Sequence, residues 1–374
     1  MEFTQGAPFD SFGLSEATMR AIRNKGYEIS TPVQAGCIPP MLAGKDVIAK
    51  APTGTGKTMA FGIPIIERID PDSEDVQAVI LAPTRELAMQ ITDKMRQIAV
   101  CHEGVRLVCL YGGQPIAKQI NALKRRPQIV VATPGRLSDH MKRRTVTLGQ
   151  VQTVVLDEAD RMLDMGFIAD IRRLLPLLPV RRQTLLFSAT MPRDIVALSG
   201  SVLRDPVRVE VTPASSTVDR VDQRVYFVER PEKKSLLVSV LRKQADKSVL
   251  VFSRTKHGAD NIARMLKRAG IRSEAIHGNK SQGQRQRALG DFKSGKVKVM
   301  VATDIAARGI DVSELHTVIN YDLPDAAETY VHRIGRTGRA GRSGVALTFC
   351  SQDEHAKVRD IQKLTGRKLE TVSC

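Results

Sequence analysis

The amino-acid sequence predicts an α/β protein built from two tandem, doubly wound parallel-sheet domains. Its 374 residues, 42% of them hydrophobic, exceed the roughly 100 to 200 residues that usually share one core. Short apolar runs alternate with stretches of helical periodicity along the chain, which is typical of βαβ units. Proline and small polar residues follow position 211, so we place domain 1 at 1–211, a linker at 212–222 and domain 2 at 223–374.

Twelve short runs are the predicted strands. Most are continuous stretches of Val, Ile and Leu, as expected for strands that helices cover on both faces. They lie at 46–49, 78–82, 106–110, 128–132, 153–156 and 184–187 in domain 1, and at 224–228, 248–252, 273–276, 297–301, 317–320 and 345–349 in domain 2. Ligands of such sheets bind beyond the carboxyl ends of the strands, so we expect functional residues in the loops that follow them.

The charge balance indicates a polyanionic partner. Lys and Arg number 57 against 40 Asp and Glu, a formal net charge of +17. Residues 1–211 carry 27 basic and 22 acidic side chains, or +5, and residues 212–374 carry 30 and 18, or +12. Aromatic residues make up 4% of the chain and Trp is absent, which argues against base stacking and for contacts with a sugar-phosphate backbone.

The cysteine content favours a reducing compartment. The five cysteines are scattered and form no CxxC pair, so neither a disulfide framework nor a zinc site is expected. The first residues have neither the basic start nor the apolar run of a signal peptide, and no apolar stretch is as long as a membrane span. We therefore expect a cytoplasmic protein without a membrane partner.

A glycine-rich loop follows the first predicted strand and precedes a helical stretch. Residues 51–58 form a Walker A loop with Ala at its first glycine position. Lys57 can reach the β- and γ-phosphates, and Thr58 can bind Mg²⁺. The residues whose backbone can surround phosphate oxygens are Thr53, Gly54, Thr55 and Gly56. A second match at 290–297 lacks the hydroxyl and follows a helix, so we expect a surface turn there and one nucleotide per chain.

Carboxylates directly follow another predicted strand. The apolar run 153–156 leads into Asp157 and Glu158, the arrangement of a Walker B motif. Asp157 can hold Mg²⁺, and Glu158 can orient or deprotonate the water that attacks the γ-phosphorus. Together with the loop at 51–58, these residues predict hydrolysis of a nucleoside triphosphate.

Positions 157–160 also spell Asp-Glu-Ala-Asp, and the chain resembles the DEAD-box RNA helicases of helicase superfamily 2. The resemblance covers nearly the whole chain, with further motifs in the family's order and spacing. It implies two RecA-like domains, ATP and Mg²⁺ as ligands, and an RNA-stimulated ATPase that unwinds RNA duplexes locally or remodels RNA–protein complexes. We expect a monomeric, minimal helicase core, either whole or part of a longer chain.

Two further elements of domain 1 resemble family motifs around the ATP site. In the region similar to the Q motif, a buried Gln34 amide can form two complementary hydrogen bonds with adenine, which favours ATP over GTP. The resemblance places Phe9 and Tyr27 around the same region. Residues 188–190 resemble motif III. The implied residues that couple the domains are Asp160, Ser188, Thr190 and, in domain 2, His332.

Three loops that follow strands of domain 1 resemble motif Ia, the GG element and motif Ib. Hydroxyls, exposed amides, helix N-termini and arginines suit phosphate oxygens and read no base sequence, so these loops predict binding to the backbone of single-stranded RNA. The choice of RNA over DNA is implied by the family alone. The predicted RNA-binding residues are Pro83, Thr84, Arg85, Gly112, Gly113, Thr133, Pro134, Gly135 and Arg136.

Domain 2 carries motifs that, by the resemblance, complete both sites. Arg336 and Arg339 are the implied arginine fingers on the γ-phosphate. Gly309 and Asp311 are the implied partners of ATP, with Asp311 on the ribose. The implied RNA-binding residues of this domain are Arg254, Arg285, Thr303 and Asp304.

Two rival functions stay open at this point. An ATP-dependent RNA clamp or chaperone with little unwinding would carry the same motifs, and duplex displacement compared with RNA-stimulated ATPase activity separates the two. A DNA translocase of the same superfamily is disfavoured by the Q motif. Equal stimulation of the ATPase by single-stranded DNA and RNA would favour the translocase.

The division of the charge predicts a difference in salt dependence. Many basic side chains would contact RNA phosphates and few would contact ATP, so raising the salt concentration from roughly 50 to 200 mM should weaken RNA binding more steeply than ATP binding. Equilibrium titrations with labelled RNA and labelled ATP over this range measure the two slopes. Equal slopes would contradict this assignment of the basic residues.

Overall fold

The computed structural model describes residues 5–52, 54–211, 221–307, 315–338 and 344–372. The chain divides into two compact units, Met1–Ala214 and Ser215–Cys374, and each is described here by itself. Within the described ranges, no helix has both the length and the apolar character needed to cross a membrane.

A seven-stranded parallel sheet forms the centre of unit 1. Its strands are β1 (Val47–Lys50), β2 (Ala78–Leu81), β3 (Leu107–Leu110), β4 (Ile129–Ala132), β5 (Thr153–Leu156), β6 (Gln183–Ser188) and β7 (Val207–Glu210). Their order is β3-β4-β2-β5-β6-β1-β7, and the neighbours pair in parallel. Because parallel neighbours require crossover connections, the loops that follow the strands open at one edge of the sheet.

Helices cover both faces of this sheet. They are α1 (Glu16–Arg23), α2 (Pro32–Leu42), α3 (Lys57–Arg68), α4 (Arg85–Ala99), α5 (Ile116–Leu123), α6 (Pro134–Lys142), α7 (Ala159–Asp164), α8 (Ile168–Leu174) and α9 (Arg193–Val202), with 3₁₀ turns at Phe9–Phe12 and Leu175–Leu177. Side chains alternate between the faces of a strand. Val47 and Ala49 therefore pack with α1 to α4, whereas Ile48 packs with α6 to α9.

Unit 2 repeats this plan. Its strands are β8 (Val221–Phe227), β9 (Val249–Phe252), β10 (Ser273–Ile276), β11 (Val299–Ala302), β12 (Thr317–Asn320), β13 (Gly344–Cys350) and β14 (Glu370–Thr371), in the order β10-β11-β9-β12-β13-β8-β14. Its helices are α10 (Lys233–Arg242), α11 (Lys256–Arg268), α12 (Gln282–Lys293), α13 (Asp304–Ala307), α14 (Ala327–Ile334) and α15 (His355–Thr365), with a 3₁₀ turn at Gln352–Glu354. Counted from the first strand of each unit, the two strand orders are the same.

The predicted α/β class with two doubly wound parallel sheets is confirmed, and each predicted strand overlaps an observed one. Residues 221 and 222, assigned to the linker from the sequence, already belong to β8. The sequence missed β7 and β14, which are the last strands at one edge of their sheets. An edge strand needs no continuous apolar run, because one side faces no neighbouring strand and fewer of its residues are buried.

Candidate functional site

The motif loops of unit 1 begin where its strands end. The hydrogen-bond ladder continues one residue past several strands, since the backbone N–H of the first loop residue donates to the last residue of the neighbouring strand. These bonds join Ala51 N to Ser188 O (2.9 Å), Ala82 N to Ala132 O (2.9 Å), Thr133 N to Leu110 O (3.0 Å) and Asp157 N to Leu81 O (3.0 Å). The sheet therefore determines where each motif starts.

Two glycines shape the phosphate loop. Gly54 and Gly56 have φ angles of 88° and 97°, in the left-handed region that favours glycine. Gly56 immediately precedes α3, which begins at Lys57. The first N–H groups of a helix have no acceptor in a preceding helical turn, so they can bind an anion. The Lys57 side chain is buried and its Nζ donates to the backbone oxygen of Ala51 (3.1 Å).

Gln34 joins α2 to the phosphate loop. Its Oε1 accepts from the Thr31 N–H (2.9 Å) and its Nε2 donates to Gly56 O (3.2 Å). Among the described residues, one N–H and one lone pair of the amide are left, the two groups needed for the expected contact with an adenine edge. Of the two aromatic residues expected nearby, Tyr27 is 45% exposed, whereas Phe9 is buried in the core.

Asp157 is a buried carboxylate directly after β5. Its Oδ1 accepts a hydrogen bond from the backbone N–H of Glu158 (2.9 Å). The pKa of Asp157 is raised to about 6, chiefly by burial and further by the charge of Glu158, while the charges of Lys57 and Arg161 oppose the rise. A carboxylate in these surroundings is stabilised by an additional cation, as a bound metal ion would provide.

An ion pair between Glu158 and Arg161 lies beside Asp157. Nη1 of Arg161 contacts Oε2 of Glu158, and both side chains are buried. Glu158 has a φ of 53°, which is uncommon for a residue other than glycine. Among the residues that the structure describes, Nε and Nη2 of Arg161 find no hydrogen-bond partner. Arg161 was not predicted as a site residue, although its i,i+3 spacing from Glu158 is a usable signal.

Asp160 and residues 188–190 form one network. Oδ2 of Asp160 accepts from the N–H and the hydroxyl of Thr190 (2.8 and 2.9 Å). Oγ of Ser188 accepts from the Asp160 N–H (3.2 Å) and donates to Thr190 O (2.7 Å). The structure thus brings together the three predicted coupling residues of unit 1. Because Ser188 O also accepts from Ala51, the network adjoins the phosphate loop.

Arg85 packs against the glycine pair of the next loop. A Cβ atom on Gly113 would collide with the Arg85 guanidinium, and Gly112 lies against the same group. Arg136 reaches this loop from α6 and donates from Nη1 to Gln114 O (3.1 Å). The residues expected to bind RNA in three separate segments are therefore neighbours at one edge of the sheet.

A buried pair of polar residues supports this surface. Gln119 donates from Nε2 to Tyr111 O (2.8 Å), and its Oε1 lies 3.1 Å from Nε2 of His140. Nδ1 of His140 lies 2.8 Å from the Thr145 hydroxyl. Burial lowers the pKa of His140, so the ring is neutral at pH 7. Neither residue was predicted, because a lone Gln or His on a helix carries no positional signal in the sequence.

Arg333 is the buried anchor of unit 2. Its Nε and Nη2 bind the two carboxylate oxygens of Asp304 (2.6 and 2.7 Å), and Nη1 donates to Asn320 Oδ1 (3.1 Å) and Asp322 O (2.6 Å). The guanidinium also lies 4.8 Å from the ring centre of Phe252. Sequence reasoning assigned Asp304 to RNA and overlooked Arg333, yet both oxygens of that carboxylate are used by Arg333.

Arg254, another predicted RNA-binding residue, already has an acidic partner. Its Nη2 donates to Oε1 of Glu354 (2.9 Å), while Nζ of Lys233 lies 2.6 Å from Oε2 of the same carboxylate. The Arg254 side chain remains 41% exposed. A phosphate could therefore reach its outer face without breaking the pair.

The remaining predicted residues lie as follows. The buried ones are Pro83, Thr84, Thr133, Pro134, Thr303 and Arg336. The half-buried ones are Thr55, Thr58, Arg285 and His332. Gly135 is exposed. The ones outside the described residues are Thr53, Gly309, Asp311 and Arg339.

Comparisons with known proteins agree with this arrangement. A family model described as DEAD/DEAH box helicase matches residues 31–198, and one described as Helicase conserved C-terminal domain matches residues 232–341. The DEAD-box ATP-dependent RNA helicase CshA of Bacillus subtilis is 47% identical over 362 residues, which cover 97% of this chain and 73% of that protein. The chain belongs to the DEAD-box helicase family.

Other DEAD-box helicases show the same likeness. CshA of Geobacillus kaustophilus is 48% identical over 97% of this chain and 77% of its own length. Among solved structures, S. cerevisiae Dbp5 bound to RNA and ADP BeF3 is 30% identical, with a TM-score of 0.86 and coverage of 98% of this chain and 95% of that one. Mss116 bound to ssRNA and UDP-BeF is also 30% identical, with a TM-score of 0.89 and coverage of 100% and 82%. The resemblance and the RecA-like fold expected from the sequence are confirmed.

Replacing Gly56 with alanine should disable the phosphate loop of this helicase. The new Cβ would lie 2.6 Å from Nε2 of Gln34, at a φ that alanine rarely adopts. We expect Gly56→Ala to weaken the binding of a fluorescent ATP analogue at least about tenfold. Gly149→Ala, where nothing lies within 4 Å, is the matched control and should leave affinity unchanged. Normal affinity in the Gly56 variant would contradict the described role of the loop.

Replacing Arg333 with lysine should destabilise unit 2. Lysine cannot make the paired contacts with Asp304 and leaves polar partners unsatisfied in a buried site, so we expect the free energy of unfolding to fall by about 3 kcal/mol. Urea denaturation followed by circular dichroism measures the change. The control is Arg224→Lys, in an exposed ion pair with Asp222, for which we expect a loss below about 1 kcal/mol. Equal losses in the two variants would refute the anchor role.

Proposed function

We propose that this chain hydrolyses ATP to ADP and phosphate, and that it couples hydrolysis to RNA binding and to local, non-processive unwinding of RNA duplexes or remodelling of RNA–protein complexes. The observation that carries the proposal is the arrangement at one edge of the unit 1 sheet. There the phosphate loop, two buried carboxylates and the network of Asp160 with Thr190 adjoin one another. The names of the relatives and the RNA-bound neighbours support the same activity.

In this proposal different residues of unit 1 bind the phosphates of ATP, act on the attacking water and bind the adenine. The N–H groups at the start of α3 and the Lys57 ammonium hold the β- and γ-phosphates. Glu158 accepts a proton from the attacking water or orients that water, and Arg161 holds its carboxylate in place. Gln34 reads the adenine edge through its two remaining hydrogen-bonding groups.

The residues also fit a magnesium ion. The raised pKa of Asp157 marks a buried carboxylate that a cation would stabilise, and the Thr58 hydroxyl lies at the start of α3. In the described ranges, no group of three or more His, Cys, Asp or Glu side chains could hold a metal alone. In the proposed site Asp157 and the Thr58 hydroxyl would hold Mg²⁺ together with phosphate oxygens and waters. When bound, Mg²⁺ would offset negative charge on the phosphates.

RNA binding is assigned to the neighbouring loops. Arg85 and Arg136 would contact phosphates, while the open backbone at Gly112 and Gly113 lets the RNA chain approach closely. In unit 2 we assign RNA contacts to the outer face of Arg254 and to the side chain of Arg285. Thr303 and Asp304 would contribute through their backbone, since the Asp304 carboxylate binds Arg333. Arg336 and Arg339 remain the proposed arginine fingers, and Gly309 and Asp311 the proposed ATP partners.

A clamp that binds RNA in the presence of ATP but rarely separates strands is the alternative. A gel assay that follows displacement of a short labelled RNA strand, run beside an ATPase assay on the same duplex, distinguishes the two. Strand release at a rate comparable to ATP turnover supports the helicase, and turnover without release supports the clamp. We propose that either activity operates in the cytoplasm.

Replacing Glu158 with glutamine should separate binding from hydrolysis. The amide cannot accept the proton of the attacking water, so we expect RNA-stimulated turnover to fall at least about 100-fold while ATP and RNA affinities stay within about threefold. Steady-state phosphate release and equilibrium titrations measure these quantities. Glu103→Gln removes one charge from an exposed loop and serves as the control. Wild-type turnover in the Glu158 variant would rule out this residue as the catalytic base.

A further inference from the structure

A groove in unit 1 lies away from all the motif loops. It has a volume of about 530 Å³ and runs between the 3₁₀ turn Leu175–Leu177 and α9. It extends to Asp46 and Thr184, at the amino ends of β1 and β6. The phosphate loop follows the carboxyl end of β1, so the groove lies at the opposite edge of the sheet. A molecule bound in the groove would leave the proposed ATP and RNA surfaces free.

Part of the groove is apolar. Leu175, Leu178 and Leu203 line it and are buried. Val180, which also lines it, is 71% exposed, and the adjacent Leu177 is 63% exposed. Exposed aliphatic side chains beside an apolar floor are a feature of surfaces that bury a partner's side chain.

The rest of the lining is strongly basic. It includes Arg172, Arg182 and Arg204, and Asp46 is the only carboxylate among the lining residues. Both oxygens of Asp46 are already used, because they accept from the backbone N–H groups of Thr184 and Arg204 (2.7 Å each). Among the described residues, none of the three arginines forms an ion pair, although the charge of Asp46 acts on Arg182.

Arg182 has a hydrogen-bond donor that the described part of the chain does not satisfy. Its Nη1 donates to Pro179 O (2.8 Å), but its Nε is buried without a hydrogen-bond partner among the described residues. Burial lowers the pKa of Arg182, and the charge of Arg204 lowers it further, while the charge of Asp46 partly opposes both. Two like charges that repel each other at a partly buried position would both be stabilised by a carboxylate between them.

We propose that this groove is a docking site for an acidic peptide segment of a partner protein, with carboxylates on the three arginines and an aliphatic side chain on the leucine floor. Charge complementarity and the apolar floor together specify this occupant. RNA fits less well, because a sugar-phosphate backbone would leave the apolar floor of Leu175, Leu178 and Leu203 without a partner. The site would attach the helicase to a partner without blocking its chemistry.

Fluorescence anisotropy of the full chain tests the proposal. The probe is a fluorescein-labelled peptide of eight residues in which glutamate and leucine alternate. We expect saturable binding to the wild type, and at least about fivefold weaker binding to Arg172→Glu and to Arg204→Glu. Arg242→Glu makes the same charge change at an exposed position of unit 2 and should bind within about twofold of the wild type.

The same assay can overturn the proposal in four ways. Lack of saturable binding by the wild type would refute it, as would equal weakening by the Arg242 variant. A peptide with serine in place of leucine that binds equally well would show that the groove provides charge alone. Displacement of the peptide by oligouridylate, lost in the Arg172 and Arg204 variants, would assign the groove to nucleic acid instead. ATPase activity close to that of the wild type in every variant confirms that the chains are folded.

Discussion

Both units depend on parallel strands whose hydrogen-bond ladders continue one residue past the strand ends. In unit 2, as in unit 1, the first loop residue is bonded to the neighbouring strand, as in the bonds from Ser253 N to Ala302 O (2.9 Å) and from Thr303 N to Ile276 O (3.4 Å). A loop residue held in this way cannot move along the sheet without losing a buried hydrogen bond, which would cost about 1 to 3 kcal/mol. The residues proposed to bind ATP and RNA therefore begin at the ordered edge of each sheet.

Buried charges at this edge are held by partners that were not all visible in the sequence. Glu158 lies against Arg161, and Asp304 receives two hydrogen bonds from Arg333. Removing a charged side chain from water is costly, and one partner removed alone leaves the other uncompensated. These pairs add little net stability compared with an apolar core. They do hold each carboxylate in one orientation, which a site that binds phosphates and orients water requires.

The sequence alone predicted the elements whose conformation depends on a local pattern of neighbouring residues. The apolar runs predicted the central strands, and the glycine spacing predicted the phosphate loop, because backbone conformation there depends on residues next to each other. It failed for β7 and β14, because these edge strands have few buried residues and therefore no continuous apolar run. It also missed Gln119 and Arg333, whose partners lie in other elements of the fold. Arg161 was missed although its partner Glu158 is three residues away, because composition does not distinguish a buried arginine from a solvated one.

The central claim is that the edge of the unit 1 sheet hydrolyses ATP in response to RNA. The most direct test is steady-state phosphate release by the full chain, with no nucleic acid, with single-stranded RNA, and with DNA of the same length and sequence. The account predicts slow turnover alone, stimulation of at least about tenfold by RNA, and far less by DNA. Turnover that RNA leaves unchanged, or that DNA stimulates equally, would contradict it.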